Sequence, residues 1–160
     1  SWIPVKHTIV DKVNPMNQGT IRASALCVIR SGDQILVALG YTSAKGEFFR
    51  PLGGGINFGE PGRDAVAREI REEIGAEVTE LRYLGLIENF YTRGDVPMHE
   101  LALIYEAKFV DQSLNQRTVI QGMEEDGMFE AEWIPFSDFT SGQSTLFPEG
   151  LLDLLTDVMR

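Results

Sequence analysis

The stretch from Pro51 to Gly75 constrains this chain more than any other, because it dictates a break, a helix and a stop in succession. Pro51-Leu52-Gly53-Gly54-Gly55 is expected to interrupt any regular element. Pro61 suits a first helical turn, Val66, Ile70 and Ile74 recur every fourth residue, and Gly75 supplies a left-handed stop, so the pattern predicts a helix over 61–74. On a helix advancing about 100° per residue, Glu72 and Glu73 lie about 60° to one side and about 40° to the other side of Glu69, with the apolar stripe just beyond Glu73. Three acids therefore share one face beside a buried seam. Such a face is ordinarily solvated, with Asp64/Arg68 and Arg68/Glu72 as helix-spaced ion pairs. Here three residues without Cβ precede the helix and let backbone groups approach a ligand closely. Carboxylates this near one another must hold a proton or share a cation, and oxygen ligands without His or Cys suit Mg²⁺ or Mn²⁺.

Around this segment the pattern reads mostly as strands. Ile21 to Arg30 and Ile35 to Leu39, joined by Ser31-Gly32-Asp33-Gln34, read as a hairpin, and Glu47 to Arg50 as a short strand. Val78 to Phe90 and Glu100 to Phe109 flank the turn at Arg93 to Pro97, and Phe129 to Ile134 is a further strand. Val110 to Gly127 reads as a long polar loop ending in Glu124-Glu125-Asp126. Leu151, Leu152, Leu154, Leu155 and Val158 mark a C-terminal amphipathic helix. Ser1 to Gly19 is compatible with an edge strand, an arm or a dimer contact, so a homodimer stays open.

A length of 160 residues with 43% hydrophobic content fits one domain spanning 1–160. The formal charge of −10 opposes attraction to duplex nucleic acid or to an anionic membrane. No apolar run nears the roughly 20 residues of a spanning helix, and no signal-peptide pattern opens the chain, so a cytoplasmic location is expected. Cys27, the sole cysteine, excludes an internal disulfide and reads as a buried thiol. The glycine run is neither a P-loop, since no Gly-Lys-Ser/Thr follows, nor a dinucleotide fingerprint, since Phe58 stands where a third glycine should.

The spacing Gly54, five residues, Glu60, seven residues, Arg68-Glu69-Ile70, one residue, Glu72-Glu73, one residue, Gly75-Ala76 resembles the box of the Nudix family. Every fixed polar and glycine position of that pattern is present, and a chance match in a chain this long is on the order of one in ten million at ordinary residue frequencies. Small Ala76 replaces a bulky aliphatic residue, and Leu52 replaces a proline that here stands one position earlier, at Pro51. Phe129-x-x-x-Trp133-Ile134-Pro135 resembles the family's closing strand ahead of a short helix.

The resemblance implies an α/β fold of the α/β/α sandwich type, with a mixed β-sheet between helices. It also implies a Mg²⁺- or Mn²⁺-dependent hydrolase that cleaves the diphosphate linkage of a small nucleoside diphosphate derivative: a nucleoside triphosphate, ADP-ribose, a nucleotide sugar or a dinucleoside polyphosphate. By position, Glu72, Glu73 and the Gly53 carbonyl resemble metal ligands, and Glu69 a ligand or general base. Arg68 resembles the residue that orients Glu69, with Glu60 bracketing it. The further acid such enzymes take from outside the box is Glu100, Glu124, Glu125 or Glu130, with Glu125 preferred as base. Substrate contacts are assigned to Gly54, to Arg50 and Arg93 for phosphates, and to Phe58, Phe90 or Tyr91 for a base. A silent nucleotide-binding or regulatory module of the same fold is the alternative, and an intact Glu69/Glu72/Glu73 set argues against it.

Overall fold

The computed structural model describes residues 19–43 and 45–158, so the reading of Ser1 to Gly19 falls almost wholly outside the described residues. Six consecutive residues of β1 (Ile21–Ser31), Ser24 to Ile29, are buried, which demands cover on both faces and both edges. The parallel neighbour β6 (Val96–Phe109) supplies one edge and the antiparallel β4 (Leu52–Gly55) the other. Alternation then splits the side chains. Ala25, Cys27 and Ile29 enter one core with Leu52, Phe109 and Phe129, whereas Leu26 and Val28 enter a second with Ile87 and Ile104.

Each core is closed by helix. Ala65, Val66 and Ile70 of α1 (Gly62–Ile74) cap the first, and Phe139 of α2 (Phe136–Thr140) with Leu151 and Leu155 of α3 (Leu151–Val158) cap the second. The result is the expected α/β/α sandwich around a mixed sheet. Its main path runs β5 (Val78–Arg93), β6, β1, β2 (Gln34–Thr42), β8 (Gly127–Pro135), β7 (Val119–Glu124), with β3 (Gly46–Arg50) on β2 and β4 on β1. The β1–β2 ladder covers only Arg30↔Ile35 and Ser31↔Gln34. Beyond that turn the two strands take different partners, and the chain crosses from β3 to β4 at Pro51.

Two sequence expectations are corrected. The glycine run is a strand: β4 pairs residue by residue with Ser24 to Cys27. Gly53 explains why, since at φ 145° a Cβ there would collide with the Ala25 carbonyl oxygen and lie 2.8 Å from the Leu26 α-carbon. A residue type read as a breaker thus permits a close ladder. The long loop 110–127 is likewise structured, with a 3₁₀ turn at Gln112–Gln116 capped by Asp111 and a β7–β8 hairpin turning on Glu125 and Asp126. Ile120 and Gly122 face inward, and the Phe129 ring fills the space a side chain at 122 would need. The polar residues Gln121 and Glu124, with glycine at an inward position, conceal the strand's period.

Gly53→Ala should lower unfolding free energy by roughly 3 kcal/mol or more, because it places a Cβ against fixed backbone at a φ that side chains avoid. Gly59→Ala, at φ 81° with open space around it, should cost much less. Urea denaturation of both variants would measure the difference; equal losses would show that the close approach to β1 is unimportant.

Candidate active site

α1 is stopped by Gly75 in the left-handed conformation and packs on β4 with Glu73 buried against it, Glu69 half-buried and Glu72 exposed. Arg68 organises that face with five hydrogen bonds. Nε and Nη2 donate to Glu60 at 2.7 and 2.9 Å, Nη2 also to the Gly55 carbonyl at 3.0 Å, and Nη1 to Glu69 at 3.0 Å and Glu72 at 3.1 Å. Those bonds, with the Asn57 N–H, pull the Glu60 carboxyl down to about 2. Asp64 takes no part in this set, so of the two helix-spaced pairs only Arg68/Glu72 forms.

The other two acids are held closer to the core. Glu73 is 6% exposed and accepts the Gly53 N–H at 3.0 Å. Burial pushes its carboxyl up to about 8; nearby Glu124 and Glu69 push the same way, and Arg50 opposes them. Glu69 is also raised, chiefly by burial, against the bond from Arg68. Its carboxylate lies on the α-carbon of Gly54, where a Cβ would be 2.6 Å from the carboxyl carbon.

Facing α1 across an open cleft of about 140 Å³ is the β7–β8 turn, with Glu124, Glu125 and Asp126, while β1 contributes Arg22. Arg50 Nη2 reaches both Glu124 oxygens, at 3.1 and 3.2 Å, and Arg93 lies 3.8 Å from Asp126. Glu125 is exposed. The cleft thus gathers Glu69, Glu72, Glu73, Gly53, Gly54, Glu124 and Glu125 from the sequence reading.

The remaining candidates lie elsewhere. Arg50, read as a phosphate contact, is fully buried and committed to Glu124. Phe58 is wholly exposed on the loop before α1, Phe90 stacks on His99, and Tyr91 is half-buried on β5; none of them lines the cleft. Glu100 is buried in the sheet beside Asn89, at 3.4 Å, and Glu130 lies on β8 by Gln121. Arg22 was missed from the sequence, where nothing distinguishes it from any cation at a strand start.

The sequence profile of the NUDIX domain matches residues 20–155. The chain belongs to the Nudix family. Among curated relatives, the NAD-capped RNA hydrolase NudC of Pseudomonas aeruginosa is 30% identical over 110 residues, 69% of this chain and 34% of its own length. The low-salt glycan biosynthesis protein Agl8 of Haloferax volcanii is 38% identical over 79 residues, 47% of this chain and 50% of its own. The chain therefore spans between a third and a half of the curated relatives it matches. The solved MutT Nudix hydrolase of Burkholderia pseudomallei superposes with a TM-score of 0.63 at 21% identity, covering 84% of this chain and 96% of that one. A Nudix hydrolase of Nitrosomonas europaea gives 0.62 at 15%, covering 88% and 89%.

Nudix hydrolases in general use divalent metal ions. The donor chemistry here fits such an ion: all-oxygen ligands on one helix face, with glycine backbone beside them. Among the described residues no three acidic, His or Cys side chains converge on a single point, because each box acid is turned to its own partner: Glu69 and Glu72 to Arg68, Glu73 to Gly53. No described helix is long and apolar enough to cross a membrane.

Metal-free stability should carry the mark of Glu73. Its folded-state value near 8 stands above its ordinary 4.5, so the folded chain holds the extra proton between those values. Its stabilising contribution is therefore full below about pH 4.5 and is lost as pH rises towards 8. In EDTA, the melting temperature at pH 5.5 should exceed that at pH 8 by on the order of 5 °C. Glu73→Gln should shrink that difference; an unchanged pH slope in this variant would refute the assignment.

Proposed function

We propose that this Nudix domain is a Mg²⁺- or Mn²⁺-dependent hydrolase of the diphosphate linkage in a nucleoside diphosphate joined to another group. The substrate class comprises nucleoside triphosphates, ADP-ribose, nucleotide sugars and dinucleoside polyphosphates. The observation that carries this reading is the shared cleft, in which Glu69, Glu72 and Glu73 face the acidic turn of the β7–β8 hairpin across the glycine strand. In this proposal Glu69, Glu72, Glu73 and the Gly53 carbonyl hold the metal. When bound, the ion offsets charge on the phosphoryl oxygens and lowers the pKa of the attacking water.

The chain's own residues supply the rest. Arg68, fixed by Glu60 and Gly55, holds the Glu69 and Glu72 carboxylates in place and so limits their freedom before substrate arrives. Of the three acids on the opposite turn, Glu124 and Asp126 already face arginines, which leaves exposed Glu125 as the group to accept a proton from the attacking water. Gly54, lacking a Cβ, gives the Glu69 carboxylate its place at the cleft, and base selection falls to the loops outside the box.

A nucleotide panel at fixed Mg²⁺, scored for phosphate release with and without added phosphatase, tests this reading; an NAD-capped oligonucleotide belongs in it because the Pseudomonas relative is an NAD-capped RNA hydrolase. Turnover of at least one member is expected, and failure on all would overturn the proposal. On a good substrate, Glu72→Gln should lower kcat by about 100-fold or more without loss of melting temperature, because it removes a metal-holding charge and no core contact. Millimolar Mg²⁺ should raise the melting temperature of the EDTA-treated protein by mass action on the folded state.

Glu125→Gln should depress kcat well beyond any change in KM, whereas Glu130→Gln should leave both near wild type. Equal, wild-type constants in the two would leave the helix acids as the proton acceptors.

A further inference from the structure

Six carboxyl groups line the cleft, from Glu69, Glu72 and Glu73 on α1 and from Glu124, Glu125 and Asp126 on the hairpin turn. A diphosphate entering such a place meets its own sign of charge on both sides. Among the described lining residues Arg22 is the one cation. The other guanidiniums nearby face carboxylates: Arg50 is bonded to Glu124 and Arg68 to Glu60, Glu69 and Glu72, and Arg93 lies 3.8 Å from Asp126.

We infer that Arg22 grips the non-bridging oxygens of the substrate's diphosphate from the β1 wall of the cleft. This rests on the hydrolase reading above and adds a substrate-binding residue to it. Three placements support it. Arg22 is the second residue of β1, beside the glycine strand, and its guanidinium passes over Gly55, where a Cβ would stand 3.2 Å from Nη2. Any larger residue at 55 would crowd the fork, so the third glycine leaves it room. Arg22 is also paired in register with Glu100 of β6, an acid only 2% exposed and fixed by the Asn89 amide.

The charge of Arg22 reaches Glu69 on the cleft side and Glu100 and Tyr91 on the sheet side. The buried acid Glu100 on one side and the box acids on the other flank the guanidinium where it lines the cleft. A planar fork there matches phosphate oxygens two at a time, which a lysine's point charge does not. The diphosphate carries its charge before the reaction as well as during it, so the contact serves binding more than the chemical step.

The test uses the full chain and a base-independent probe, imidodiphosphate, with Mg²⁺ present throughout. Arg22→Gln should raise KM for a panel substrate and Kd for imidodiphosphate by about 30-fold while kcat changes far less. Arg22→Lys should fall between, at about 5-fold, since it keeps the charge and loses the fork. Mg²⁺ binding heat and melting temperature should stay as in wild type. Arg117→Gln, the same charge change at an exposed position outside the cleft, should alter none of these.

Wild-type KM and Kd in Arg22→Gln would overturn the inference, and so would a lower melting temperature with KM unmoved, which marks a structural ion pair. Should Arg22→Gln fail to fold, wild-type constants in Arg22→Lys would overturn it equally. If the wild type turns over no panel member and does not bind imidodiphosphate, the hydrolase reading falls and takes this inference with it. Turnover with an indifferent Arg22 sinks the inference alone.

Discussion

Strand β4 can lie against β1 only because three successive residues lack a side chain, and each missing Cβ leaves its space to something different. At Gly53 it is the Ala25 carbonyl and the Leu26 backbone, at Gly54 the Glu69 carboxylate, and at Gly55 the Arg22 guanidinium. The same short strand donates the Gly53 N–H to Glu73 and the Gly55 carbonyl to Arg68. Helix, sheet and cleft therefore meet along four residues of backbone. A side chain at 53 would part β4 from β1, and one at 54 or 55 would press on the Glu69 carboxylate or the Arg22 guanidinium.

Electrostatics follows from that approach. Bringing Glu73 down onto Gly53 removes it from water, and burial outweighs both the backbone bond and the Arg50 charge in setting its proton affinity. Glu60, on the exposed side of the same arginine cluster, shifts the opposite way because direct bonds to Arg68 dominate there. Two glutamates within one motif are thus separated by several pH units, one raised by burial and the other lowered by its bonds to Arg68. Glu60 therefore holds charge against the arginine while Glu73 keeps its proton up to about pH 8.

Much of this was legible from residue spacing. The helix over 61–74, its glycine stop and the inward lean of Glu73 follow from angular position, since Glu73 sits nearest the Val66/Ile70 stripe. The β1–β2 hairpin follows from its turn residues. Contacts between distant segments were not legible. β4 reads as a break because glycine's value in a ladder depends on what lies across from it, and β7 reads as loop because its inward positions include Gly122, filled by Phe129 from the next strand. Arg50 and Arg22 look alike as cations in sequence; only the hairpin that folds over one and the glycine strand beside the other separate a buried clamp from a cleft-lining fork.

The order in which these pieces become available along the chain differs from their order in space. β2 is made early, yet at Gln34 to Val37 its partner is β8 at Glu132 to Pro135, about a hundred residues later. During synthesis that edge, carrying Ile35, Leu36 and Val37, has its backbone donors and acceptors unpaired until almost the whole domain has emerged. The acidic turn that completes the cleft travels on the same late hairpin. Closure of the sheet and assembly of the cleft are consequently a single late event, and a nascent chain arrested before β8 would offer an apolar edge for pairing with a second copy.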